Sequence, residues 1–320
     1  MKNIVFLLAI LPLTVVILFM LGLAYGTTGI VGLGEIVSWI QGDNNGVLTY
    51  RFIRTLSALV VGAALGSAGL AYQFSLRNPL ADPYLLGVST GSAFGVVLAL
   101  ITSGPSPSMV YLYGLIWGIV AFLIVAGIGA YVKSGPTSLI VAGVSVSYSF
   151  FGLIIIMINM FPEAQMVSFT WLFGTVAYVL KTYLIVTVIL TLVSILYLFL
   201  YRRSIYALIL GDSTAKSMGV DVEKVRLYTI IFASLSAVGA VALAGPIGFI
   251  GLAAPWTARL IFGSRFSTVL YASIMLGMAS TMASDLAVRA LSFNGEIPLT
   301  AVTALFGGPI LFYLSRKTGW

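Results

Sequence analysis

The amino-acid sequence predicts an all-α membrane protein, a single domain of about ten transmembrane helices spanning residues 1–320. Composition and segmentation predict it together. Of 320 residues, 60% are hydrophobic and 8% charged, where soluble domains carry about 25% charged residues. Mean hydropathy is +1.11. The apolar residues also fall into runs of about 20, the length a helix needs to cross a bilayer.

The first run, 4–24, follows Lys2 and could pass for a secretory signal. A signal's apolar region is only about 7–15 residues long, and this run continues to Ala24, so it reads as a retained helix. Runs 52–74 and 84–102 come next, closed by an external turn, Ser103-Gly104-Pro105-Ser106-Pro107. Runs 109–131 and 139–160 are separated by Ser134-Gly135-Pro136, an internal turn. An amphipathic external break, Phe161 to Tyr178, leads into 180–200. The longest polar interruption, Tyr201 to Arg226, precedes 225–244. A shorter run broken by Gly and Pro, 247–263, then 268–290 and 298–314 complete the series.

Charge orients the predicted bundle. With both termini inside the cell, 12 of the 16 Lys and Arg fall on cytoplasmic loops; only Arg51, Arg54, Lys181 and Arg289 lie outside. That asymmetry follows the positive-inside rule. It also accounts for the net charge of +7 without nucleic acid.

Glycines recur at helical spacing: Gly62, Gly66 and Gly69 in the second run, then Gly91 with Gly95, and Gly114 with Gly118. Small residues let helix backbones approach closely in lipid, where no hydrophobic force acts between helices. Tight packing explains the pattern, and helix sliding during gating is the alternative.

Several chemistries are excluded. Gly87-Val88-Ser89-Thr90-Gly91 has the form of a nucleophile elbow, G-x-S-x-G. The chain has no histidine to serve as its base, and H-E-x-x-H zinc chemistry is impossible for the same reason. An intramembrane aspartyl protease needs two buried aspartates, and Asp285 is the one clear candidate. Absence of G-x-x-x-x-G-K-[ST] removes ATP hydrolysis by a P-loop. No cysteine is present either, and no cofactor is expected. The rival class is an ion-coupled secondary transporter, which places ionisable groups near the bilayer midplane. Asp285 and Arg289, four residues apart on one helix, can pair locally instead.

Four stretches point to a family. They are Gly62–Gly66 followed by Arg77-Asn78-Pro79-Leu80-Ala81-Asp82-Pro83-Tyr84-Leu85-Leu86-Gly87; Leu210-Gly211-Asp212 with Ala215 and Met218-Gly219-Val220; Ala244-Gly245-Pro246-Ile247-Gly248-Phe249-Ile250-Gly251 through Pro255 with Arg259; and Glu296-Ile297-Pro298-Leu299 with Gly307-Gly308-Pro309. In this order they resemble the FecCD-type, BtuC-like permeases of ABC importers over most of the chain. One departure is Pro255-Trp256, where the family usually has Pro-His.

The resemblance implies a dimer, of identical copies or with a paralogous permease, around a central pathway in the cytoplasmic membrane. It implies two copies of an ATP-binding subunit, an extracytoplasmic solute-binding protein and surrounding lipid as partners. The implied cargo is a metal chelate: iron-siderophore first, then haem or cobalamin. Three sites are implied. Arg51, Arg54 and Arg289 match positions that dock acidic residues of the binding protein, a use suited to the guanidinium fork; interfacial snorkelling is the alternative. The cytoplasmic segment at about 203–226, with Asp212, Ala215, Lys216 and Gly219, matches the ATPase-coupling knob. There Asp212 or Ser213 could cap a short helix, and Gly219 could bend the chain between two short helices; a plain solvated loop would be equally polar. Thr137 and Ser138 match the inner constriction, and helix capping is the alternative use of their hydroxyls.

Overall fold

The computed structural model describes residues 2–27, 29–132, 136–162, 168, 171–292 and 296–317. Thirteen α-helices are described. They are α1 (Lys2–Ala24), α2 (Leu33–Ile40), α3 (Gly46–Ser75), α4 (Val88–Ser103), α5 (Pro107–Val132), α6 (Pro136–Met160), α7 (Lys181–Leu200), α8 (Arg202–Ile209), α9 (Asp212–Ser217), α10 (Val222–Ala244), α11 (Ile250–Phe262), α12 (Phe266–Leu291) and α13 (Leu299–Lys317). Two-residue strands, β1 (Tyr25–Gly26) and β2 (Gly29–Ile30), form a small antiparallel hairpin after α1.

Six helices (α3, α5, α6, α7, α10 and α12) are each long and apolar enough to cross a bilayer; α4 and α11 are shorter apolar helices, and apolar stretches also run over Leu8–Ala24 in α1 and Leu299–Pro309 in α13. Ten apolar elements therefore answer to the ten runs in the sequence, though unequal in length. The sequence run 84–102 is divided: a 3-10 turn, Pro83–Leu86, ends at Gly87 with φ +73, and the α-helix begins only at Val88. Asp82 caps that turn, accepting from the Tyr84 and Leu85 amides. The run beginning at 52 instead starts earlier, because Asn45 accepts from the Val47 and Leu48 amides and nucleates the helix at Gly46. With 30 residues, α3 is about 45 Å long.

The axial helix is α3, 89% buried along its most apolar stretch. It packs on α12, α10 and α11, while α4 packs on α5 and α6, and α7 on α10. Glycine makes the closest of these approaches possible. A Cβ on Gly62 would lie 2.3 Å from the Gly277 carbonyl oxygen, and one on Gly69 would lie 1.7 Å from that of Gly251. Since the obstructing atoms are backbone, no rotamer change could relieve them. Hydroxyls tie further pairs: Tyr72 Oη and Ser234 Oγ are 2.7 Å apart, and Thr187 donates to the Gly239 carbonyl at 3.2 Å.

Two ends of the bundle concern function. The hairpin end holds the C-terminus of α1 and the starts of α3 and α13. The knob end holds α8, α9 and the start of α10.

Candidate functional site

At the hairpin end α1 stops at Ala24, leaving carbonyls that have no intrahelical partner. Two arginines satisfy them. Arg51 donates to the Leu23, Ala24 and Gly29 carbonyls at 3.2, 2.7 and 2.9 Å. Arg289 donates to the Gly22 and Tyr25 carbonyls at 2.6 and 3.1 Å. Positive charge there also complements the negative end of the helix dipole.

Arg289 pairs with Asp285 at 2.5 Å, one turn away on α12. Asp285 crosses to α3 as well: Arg54 Nε donates to its Oδ1 at 2.8 Å, and Arg54 Nη2 lies 2.7 Å from Glu296 Oε1. Three guanidiniums and two carboxylates thus join α1, α3, α12 and the chain leading into α13. The helical spacing of Asp285 and Arg289 anticipated their pair. The pairing of Arg54 with Asp285 and with Glu296 was missed, because contacts between residues 231 or more positions apart leave no local pattern.

Arg51, Arg54 and Arg289 are buried within the chain, with relative exposures of 3, 7 and 4%. The carbonyls at the end of α1 and the carboxylate of Asp285 draw the side chains inward. They still converge, lining one cleft of about 240 Å³ with Gly26, Thr27, Gly46, Val47 and Tyr50.

At the knob end, Asp212 does not cap α9; Gly211 holds the cap position with φ +107. The carboxylate instead receives Arg226 at 2.6 Å and also pairs with Arg77. Arg77 donates to the Leu208 carbonyl at 2.7 Å, and Arg226 to that of Ser75 at 3.1 Å. Asp212 therefore clamps the knob to the end of α3. Ala215 is fully buried in a small core with Ala207, Leu208 and Val222, so it shapes the knob from within. Lys216 is exposed, 3.6 Å from Glu223.

The bend between the two short helices α8 and α9 lies at Gly211; Gly219, with φ +78, turns the chain from α9 into the long α10. Asp221 caps α10, accepting from the Lys224 amide at 3.2 Å. The Lys224 side chain and that amide hold the exposed Asp221 carboxyl below the usual carboxylate range. Leu210 and Met218 are exposed beside these turns, at 49 and 61%.

Thr137 is exposed and Ser138 half-buried in the first turn of α6, where Pro136 stands at the start of the helix. The preceding residues, 133–135, lie outside the described set.

The profile of the FecCD transport family matches residues 13–317. The chain belongs to this family. It is a multi-pass transport permease subunit of the ABC importer class, with a BtuC-like fold. An iron(3+)-hydroxamate import system permease of Bacillus subtilis is 34% identical over 83% of the chain and 70% of the relative. An Fe(3+) dicitrate transport system permease of Escherichia coli is 34% identical over 85% of the chain and 83% of the relative. A vitamin B12 import system permease of Vibrio vulnificus is 30% identical over 96 and 93%. Among solved structures, a metal-chelate type ABC transporter in an inward-facing conformation superposes with TM-score 0.86 at 27% identity, over 97% of this chain and 99% of the other. The FecCD permease thus matches these relatives over 83–96% of its length.

Proposed function

We propose that this permease carries an iron(III) chelate of the siderophore type across the cytoplasmic membrane, with haem and cobalamin as the next cargoes. The observation that carries the proposal is the whole-chain superposition on a metal-chelate type transporter. The residues agree with a cargo that brings its own ligands: the chain has no His or Cys. Among the described residues no three metal-binding side chains converge.

In this proposal the knob end faces the cytoplasm and both termini lie there. Two copies of an ATP-binding subunit drive a dimer, formed by a second copy of the chain or by a paralogous permease. Uncovered apolar side chains such as Tyr148 and Phe151 on α6 and Leu305 and Phe306 on α13 suit a second copy and lipid. The knob offers Leu210, Met218 and Lys216 to the ATPase, while Asp212, Ala215 and Gly219 hold its shape. Thr137 and Ser138 stand at the inner gate.

The hairpin end faces the solute-binding protein. Its acidic side chains enter the cleft shared by Arg51, Arg54 and Arg289, where guanidiniums bind carboxylates with directional, charge-assisted hydrogen bonds. Proteoliposomes test the proposal. Uptake of a radiolabelled iron(III) hydroxamate should require the ATP-binding subunit, ATP and the binding protein together. Uptake driven by a proton or sodium gradient alone would establish a secondary carrier instead.

A further inference from the structure

Arg54 is shared by two carboxylates that are held very differently. Asp285 is deep, with 2% of its side chain exposed, and receives Arg54 at 2.8 Å and Arg289 at 2.5 Å. Glu296 has 17% of its side chain exposed. Its Oε1 lies 2.7 Å from Arg54 Nη2, yet it accepts no directed hydrogen bond. Of the two, Glu296 is the weaker and more accessible occupant.

We infer that Glu296 is a displaceable internal occupant of Arg54, and that an acidic side chain of the solute-binding protein takes its place and releases the entry to α13. This rests on the docking role proposed above for the cleft. Arg54 lies 2.8 Å from Asp285 and 2.7 Å from Glu296, so an incoming acid meets a guanidinium already shared by two carboxylates and competes with the less buried one. Arg51, Arg54 and Arg289 also line the cleft through which that acid arrives.

Exchange has a mechanical consequence because Glu296 lies three residues before α13. That entry is otherwise held by the Leu299 amide on the Gly174 carbonyl at 2.9 Å, the Thr300 amide on that of Phe173 at 3.2 Å, and the Thr300 hydroxyl on that of Pro246 at 2.7 Å. The Ile297 amide is tied to Ser292 Oγ at 3.2 Å. Glu296 is the one ionic tie among these to α3, and losing it leaves the segment 296–298 held on that side by the apolar packing of Ile297. Docking outside thereby reaches a helix whose other face is uncovered. Linkage makes the effect reciprocal: whatever factor the Glu296–Arg54 contact takes from docking, docking takes from that contact.

The test uses the nucleotide-free permease–ATPase complex in lipid nanodiscs with purified binding protein. Glu296→Gln removes the competing charge and should tighten binding by about fivefold or more, the lower range of site-to-site coupling. Glu296→Asp, which keeps the charge but shortens the reach, should also tighten it. A second measurement uses the absence of native cysteine: thiol labelling of Ile297→Cys in the otherwise wild-type chain should speed up when the binding protein is added. Unchanged or weaker binding by both Glu296 variants, or labelling indifferent to the binding protein, overturns the exchange. Arg54→Glu separates the two ideas. If that variant binds normally, the docking role itself fails; if it loses binding while the Glu296 results are flat, only the exchange fails.

Discussion

Replacing Gly69 by alanine tests how the axial helix is held. Gly69 is buried where α3 crosses α11, and an added Cβ would sit 1.7 Å from the Gly251 carbonyl oxygen, 2.5 Å from its carbon and 2.8 Å from its Cα. Ordinary contact begins at 3.4 Å, so the two backbones must part by about half that distance. Forcing a methyl into a filled core costs about 1–3 kcal/mol. The upper part of that range applies here, since every near atom is backbone. Lipid offers no hydrophobic compensation for helices that separate. A matched control is Gly127→Ala on α5, where nothing lies within 4 Å and alanine should gain about 0.5–1 kcal/mol of helix preference. Thermal unfolding in one detergent, followed by fluorescence-detected size exclusion, should place Gly69→Ala below wild type and Gly127→Ala at or above it. A Gly69→Ala midpoint equal to wild type would refute the packing argument and favour helices free to slide past each other.

Asp285→Ala should leave Arg289 buried without its carboxylate and Arg54 with Glu296 alone; removing one partner of a buried pair costs about 3–5 kcal/mol. The check is a fall in membrane level and melting midpoint, and near-normal values for both would show the network to be dispensable. Gly219→Val should strain the turn at φ +78 without any steric clash, so the bundle should insert normally while ATPase stimulation is lost. Lys216→Glu should be milder, because an exposed ion pair contributes little, and equal near-normal transport by both variants would place the coupling surface elsewhere. Asp221 titrates below its ordinary range, so its stabilisation is complete at neutral pH and fades as pH falls below about 4 towards the lowered folded value. Hydrogen exchange in the first turn of α10 should quicken over that interval, and Asp221→Asn should flatten the dependence; an unchanged acid profile in the variant would assign the loosening to another group.

Much of the architecture was legible because a bilayer imposes it. Apolar runs near 20 residues and glycines every four residues are local or periodic signals, and they correspond to helices and close crossings. Less visible were the breaks. Gly87 divides the third run because the 3-10 turn beginning at Pro83 needs a left-handed residue at its end. Asn45 lengthens the second because a side-chain cap acts before the apolar pattern begins. At the candidate sites, sequence singled out Arg51, Arg54, Arg289 and Asp212 and anticipated the Asp285–Arg289 pair, but not the distant partners that the others hold.

The sequence by itself determined the class of this protein: a multi-pass helical permease without His, Cys or a P-loop, carrying family motifs in order over most of the chain. Those properties follow from composition, period and motif spacing, which need no coordinates. Tertiary structure alone decided that three arginines turn inward onto the carbonyls of α1 and the carboxylate of Asp285. It alone decided that Asp212 clamps the knob to α3 instead of capping α9, and that Glu296 shares Arg54 with a buried aspartate. Each is a contact between segments far apart in the chain. Its strength depends on burial and on which acceptors are left unsatisfied, and those are properties of the packed bundle.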